Sequence, residues 1–94
     1  MAPLSSHTRV TVPDHVITRV VGGRTVILDV QSGRSFTLDP IGSQVWALLE
    51  QTGTLSGTIE ALQRQFDAEP AQIERDVTEL VERLAAGSLL ALTE

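Results

Sequence analysis

The chain has 94 residues, with seven Arg and no Lys, twelve acidic residues, one Trp and no Cys. That length suits one domain burying roughly 60–65% of its unfolded-chain surface, which leaves little room for a large catalytic cleft. The absence of Cys excludes a disulfide framework, a thiolate zinc site and a cysteine nucleophile, and a net charge of −5 argues against nucleic acid or an anionic membrane as partner.

The charge is unevenly spread. Residues 1–40 carry four Arg against Asp14, Asp29 and Asp39, a surplus of +1, whereas residues 41–94 carry Arg64, Arg75 and Arg83 against nine acids, a deficit of −6.

Residues 1–7 have neither the basic nor the apolar region of a signal peptide and read as a disordered N-terminal arm. No uncharged run is longer than residues 40–49, which fall far short of the ~20 apolar residues of a membrane helix. A soluble, cytoplasmic protein is expected, with residues 8–94 as one domain.

Residues 8–12 offer a short outer strand, interrupted by Pro13. Residues 15–21, 25–30 and 35–38 are rich in β-branched and aromatic side chains at strand length. Gly22-Gly23 between the first two suits a two-residue turn with positive φ at both positions. Gln31-Ser32-Gly33-Arg34 separates the second from the third, with Gly33 as the left-handed residue. Three strands and two tight turns make an antiparallel meander.

At Asp39-Pro40 the hydrophobic period changes. Asp39 is a good N-cap, and Pro40 suits the first helical position because that N–H has no partner in any helix. Ile41, Val45, Trp46, Leu48 and Leu49 line one face of this helix, which predicts a core role for Trp46 ahead of an interface role. Thr52-Gly53-Thr54 ends it and caps a second helix with Ile59, Leu62 and Phe66 inward; Gly57 near its start is expected to loosen that cap. Pro70 opens the third helix, Pro70–Ala86, where Ile73, Val77, Leu80, Val81 and Leu84 fall within about 100° of arc. Gly87 is placed as its C′ residue. Residues 89–92 finish as a short strand paired back to the sheet or as an apolar tail on the core. The expected class is α+β: a three-stranded antiparallel meander followed by three helices, winged-helix-turn-helix-like.

Catalytic constellations are missing. No Ser sits in a G-x-S-x-G setting, His7 and His15 read as exposed imidazoles without partners, and no metal-ligand spacing is present. Gly22-Gly23 has no helix after it and is no phosphate cradle. The third helix would enter the major groove in a winged-helix DNA reader. It carries Glu69, Glu74, Asp76, Glu79 and Glu82 against Arg75 and Arg83, a net −3 that phosphates repel. Binding potential lies in the sheet instead. The third strand, Arg34-Ser35-Phe36-Thr37-Leu38, lacks the Lys and Pro that blunt an edge. It is open to strand addition unless residues 89–92 or 8–12 cover it.

Gly22, Val26, Leu28, Asp29, Gly33, Leu38, Pro40, Gly42 and Trp46 are followed by Gly53-Thr54, Leu62, Phe66-Asp67, Asp76-Val77, Leu80, Leu84, Gly87 and Leu89-Leu90. This ordered set, over residues 16–92, resembles the PqqD family, the small leader-peptide-recognition domains of ribosomally made, post-translationally modified peptides. Within it the chain most resembles the separate leader-binding half of a split lasso-peptide B protein. The resemblance implies a protein with no catalytic activity and no cofactor. Its partners would be a precursor leader peptide, a cysteine-protease-like protein that removes the leader, and the cyclase; nucleic acid and membrane are not expected. Service in a quinone-cofactor or other radical-enzyme pathway is the alternative, with a generic protein-interaction module or a winged-helix DNA binder behind it.

The family's leader docks as an added antiparallel strand on the third strand, with side chains in a groove beside the third helix. Carried over, the strand is Arg34, Ser35, Phe36, Thr37 and Leu38. With Ile73 set at zero, the helix flank holding Asp76 and Arg83 sits at about −60° to −80°, beside the apolar arc. Asp76, Leu80 and Arg83 are therefore expected to rim the groove and Ile73 and Val77 to floor it, with the opposite flank, Glu74 and Ala85, as the competing choice. Relatives often carry an aromatic pair where Ser35-Phe36 has one ring.

Overall fold

The computed structural model describes residues 8–93; the expected arm lies outside them. The elements are β1 (Arg9–Thr11), β2 (Val16–Val21), β3 (Arg24–Asp29), β4 (Ser35–Thr37), α1 (Pro40–Thr52), α2 (Leu55–Gln65), α3 (Pro70–Ala86) and β5 (Ala91–Thr93). The α+β meander-then-helices architecture is as the sequence predicts, and its turn chemistry is local. Gly22 and Gly23 both adopt positive φ, +60° and +79°, in the β2–β3 turn. The β3–β4 turn is shaped by Asp29, whose Oδ1 accepts from the amides of Gln31 (2.9 Å) and Ser32 (3.2 Å), while Gly33 takes φ +77°.

The meander has strand order β2-β3-β4, with Ile17 opposite Leu28, Arg19 opposite Val26, Ile27 opposite Phe36 and Leu28 opposite Ser35. Alternation sends Val16, Ile27 and Phe36 to the inner face, where α1 packs against β3 and the residues join one core with those of the helices. Ile27, Trp46 and Val81 are essentially inaccessible, and Val10, Leu55, Leu62, Leu89 and Leu90 join the same core. Trp46 is thus a core residue.

The ends of the described chain behave differently from a sheet extension. β5 pairs with β1, Val10 opposite Leu92, as a separate two-stranded ribbon. Neither segment reaches β4, whose sole strand partner among the described residues is β3.

Four local expectations need correction. Ile41 belongs to no core: it is 56% exposed, because position 41 in the first turn of α1 projects beyond the sheet that buries Val45 and Trp46. Gly87 is not left-handed (φ −87°); Ser88 is, at φ +64°. The Ser88 amide donates to the Ala85 carbonyl at 3.0 Å and the Leu89 amide to that of Leu84 at 2.9 Å, a Schellman closure one residue later than the glycine suggests. His15 is half-buried with a partner, since its Nε2 donates to the Ser88 carbonyl at 2.8 Å. Gly57 serves the α2 cap: its amide donates to Thr54 Oγ1 at 3.0 Å, and a Cβ there would stand 2.7 Å from that oxygen. The absent side chain makes room for the capping hydroxyl.

Candidate functional site

The β3–β4 ladder decides which backbone groups of β4 are free. The Asp29 amide donates to the Arg34 carbonyl at 2.9 Å, and the Leu38 amide donates to the Thr25 carbonyl at 2.9 Å. In an antiparallel pair these bonds recur at every second residue, so Arg34, Phe36 and Leu38 direct their backbone toward β3. Ser35 and Thr37 direct theirs the other way. Two N–H and two C=O groups therefore face the open edge, the pattern that a further antiparallel strand completes.

Side chains alternate independently. Ser35 and Thr37 are exposed on the outer face, whereas Phe36 and Leu38 are half-buried against the core. The Arg34 guanidinium lies 5.4 Å from the Phe36 ring centroid, a cation over an aromatic face.

Beyond Leu38 the chain turns into α1, and a groove of about 350 Å³ opens there. One wall is α3, with Ile73, Asp76, Val77, Leu80 and Arg83; Asp39, Ile41, Gly42 and Val45 of the α1 start face it, and Leu62 and Phe66 of α2 close it. All five α3 residues expected at the groove are brought together there. Glu74 and Ala85, the competing flank, do not line it. Val77 and Ile73 are buried, Leu80 is half-buried, and Asp76 and Arg83 are exposed, so an apolar floor has a charged rim. The Gln72 amide nitrogen donates to Asp76 Oδ1 at 2.9 Å.

A second concavity, of about 570 Å³, lies at the other end of β4. Arg34, Phe36, Asp29 and His15 line it together with Gly87 and Ser88, where α3 ends. The two hollows therefore follow one another along α3, with β4 running antiparallel to that helix. Arg34 and Phe36 belong to this second hollow, while Ser35, Thr37 and Leu38 line neither and contribute the edge and its continuation into α1.

Electrostatically, one carboxyl is perturbed. Burial pushes the Asp29 pKa up, but the amides of Ser32 and Gln31, the Ser32 hydroxyl and the charge of His15 outweigh it, leaving the carboxyl below its ordinary value. Asp29 is thus held ionised to shape the turn that presents β4.

Sequence reasoning missed the wall opposite α3, and two of the residues it missed are instructive. Ile41, assigned to the core by its helical spacing, is a groove residue. Ser43 fits no catalytic motif. Its hydroxyl accepts from the Thr25 amide at 2.7 Å and donates to the Leu38 carbonyl at 3.4 Å, and no sequence signal marks that role.

A search against family models matches residues 24–90 to Coenzyme PQQ synthesis protein D (PqqD). The chain belongs to the PqqD family. None of the curated proteins matches this PqqD-family chain by sequence. Among solved structures it is similar to TbiB1 in complex with the TbiA(beta) leader peptide, at 29% identity and a TM-score of 0.79, covering 84% of this chain and 92% of that one. It also shares the fold of lasso peptide synthetase B1 complexed with the leader peptide, at 18% identity and a TM-score of 0.80, over 88% of this chain and 98% of that one. Among the described residues of this PqqD-family member, no helix is long and apolar enough to cross a membrane.

Proposed function

We propose that this chain is a non-catalytic leader-peptide-binding protein of lasso-peptide biosynthesis. It captures the precursor leader as an antiparallel strand on β4 and delivers it, in the cytoplasm, to a cysteine-protease-like partner and then the cyclase. The observation that carries this reading is the edge itself: the outward backbone of Ser35 and Thr37 beside a groove floored by Ile73 and Val77. Backbone bonds supply affinity that tolerates many sequences, and the groove selects among side chains. Leu80, Asp76 and Arg83 form its rim, and Arg34, Phe36 and Leu38 hold the strand in place. Residues 8–94 act as one binding domain. The likeness to TbiB1, itself solved with a leader, supports the same reading.

The family model favours one second reading, a peptide chaperone for a radical-enzyme pathway such as quinone-cofactor synthesis. It uses the same edge and differs in the peptide held. DNA reading is disfavoured because the exposed face of α3 carries Glu74, Asp76, Glu79 and Glu82.

Fluorescence anisotropy of a labelled lasso leader, titrated with the protein, tests the proposal. Saturable one-to-one binding is expected. No change at tens of micromolar protein overturns it, and binding of a quinone-pathway precursor in its place selects the second reading.

A further inference from the structure

The hollow where β4 begins and α3 ends differs in chemistry from the apolar groove. Most acceptors around it are already taken. The carbonyls of Arg83, Leu84 and Ala85 receive the amides of Gly87, Leu89 and Ser88, and the Ser88 carbonyl receives His15 Nε2. Asp29 is 9% exposed, and its Oδ1 accepts from the amides of Gln31 and Ser32. Donors are what remain for a ligand. The exposed Arg34 guanidinium has no carboxylate partner among the described residues, and the Gln31 carboxamide and Ser88 hydroxyl beside it make no hydrogen bond there.

The glycine at this hollow points the same way. Gly87 has φ −87°, open to any residue, and a Cβ there would meet its nearest neighbours at an ordinary 3.7 Å. Neither its backbone nor its packing requires glycine, while the adjacent Ser88 carries the left-handed conformation at φ +64°. The missing side chain leaves the hollow open, and a strained polar residue stands next to it, a pairing that belongs to binding sites more than to helix ends.

Strand addition fixes which leader residue arrives here. Directly paired residues share a face, so leader residues opposite Arg34, Phe36 and Leu38 point inward with them. An antiparallel leader passes Leu38 first and Arg34 last. The residue opposite Leu38 meets the apolar groove beside Asp39 and Ile41. The residue opposite Arg34 comes four positions later, about 13 Å along the strand, and meets the hollow.

We propose that this hollow is a carboxylate subsite: it takes an Asp or Glu of the leader, four residues after the apolar residue that fills the groove, and Arg34 selects it. Resting on strand addition at β4, the subsite supplies the second element of the leader's recognition pattern. Arg34 lies over the Phe36 ring, 5.4 Å from its centroid, so its planar donors are oriented before the carboxylate arrives. A basic leader side chain in the same place would face Arg34 and find the nearby carbonyls occupied. Arg83, on the groove rim, is the competing cation.

The test is fluorescence anisotropy with the labelled leader of the precursor encoded beside this protein, and with leaders in which each acidic residue is changed singly to its amide. The proteins are the wild type, Arg34→Gln and Arg83→Gln, both exposed positions. One amide leader should bind the wild type about five- to tenfold more weakly than the parent, whereas Arg34→Gln should bind the two alike. Arg34→Lys, which keeps the charge without the planar fork, should retain part of the preference. The sensitive acid should lie four residues after the apolar residue whose change to Ala is most damaging. No sensitive acid, a sensitive acid at another spacing, a loss that persists in Arg34→Gln, or a loss that Arg83→Gln cancels instead each overturns the proposal. Failure of the parent leader to bind the wild type counts separately, against strand addition itself.

Discussion

The Thr25 amide donates to the Ser43 hydroxyl at 2.7 Å, at the position where the β3–β4 ladder would otherwise close on Leu38. Leu38 still donates to the Thr25 carbonyl, and Ser43 returns a bond to the Leu38 carbonyl at 3.4 Å. A side chain from α1 has entered the last rung of the sheet. β4 is thereby released from β3 as the chain turns into the helix that forms one groove wall. Edge and groove meet because of this substitution of a hydroxyl for a carbonyl.

Ser43→Ala removes the acceptor and leaves the buried Thr25 amide unpaired. A stability loss of about 1–3 kcal/mol is expected, read as a lower urea midpoint with an unchanged slope. A midpoint equal to that of the wild type would show that the relay is dispensable.

Thr37→Pro removes an N–H that faces the open edge and takes no part in the β3 ladder. Leader affinity should fall about two- to tenfold, the worth of one net hydrogen bond, with little change in stability. Thr37→Val, which keeps the N–H, should bind as the wild type does. Equal affinity in the proline variant would place the leader elsewhere.

Ile41→Ser separates groove from core. With more than half of its surface exposed, Ile41 contributes little to folding, and the expected stability change is within about 0.5 kcal/mol. Burial of its free surface by the leader is worth about 1 kcal/mol, so affinity should drop roughly fivefold. A large drop in melting temperature would contradict this placement.

Asp29 makes the presentation of β4 pH-dependent. Its folded pKa lies below its unfolded value, near 3.9, so the folded state binds the proton less readily. The stability it contributes is fully present above about pH 4 and is lost as pH falls through the lower, folded value. In chemical denaturation below about pH 4, Asp29→Asn should show a shallower acid dependence than the wild type. Parallel acid limbs would mean that another carboxyl governs them.

What the sequence made readable was local. Gly22-Gly23, Gly33, and Asp39 before Pro40 each specify a turn or cap through chemistry confined to a few residues, and each stands where its spacing places it. Helical periodicity likewise gathered Ile73, Asp76, Val77, Leu80 and Arg83 on one flank. What it could not supply was the opposite wall. Ile41 and Phe66 reach the groove through the packing of α1 and α2 against α3, and the same spacing that sends Val45 inward says nothing about where the sheet ends. Ser88 took the left-handed position beside an available Gly87, with its carbonyl held by His15 from the far end of β2. That preference belongs to the tertiary fold.

The β1–β5 ribbon joins residues that are among the most distant along the chain. Thr11 Oγ1 donates to the Ala91 carbonyl across eighty positions, and only three residues on each strand make the pairing. Closing so long a loop costs chain entropy that few contacts repay until the meander and helices are in place. The ribbon is therefore expected to form late, and its pairing shares no strand with the β3–β4 ladder. Opening of that clasp therefore breaks no hydrogen bond of the β2-β3-β4 meander.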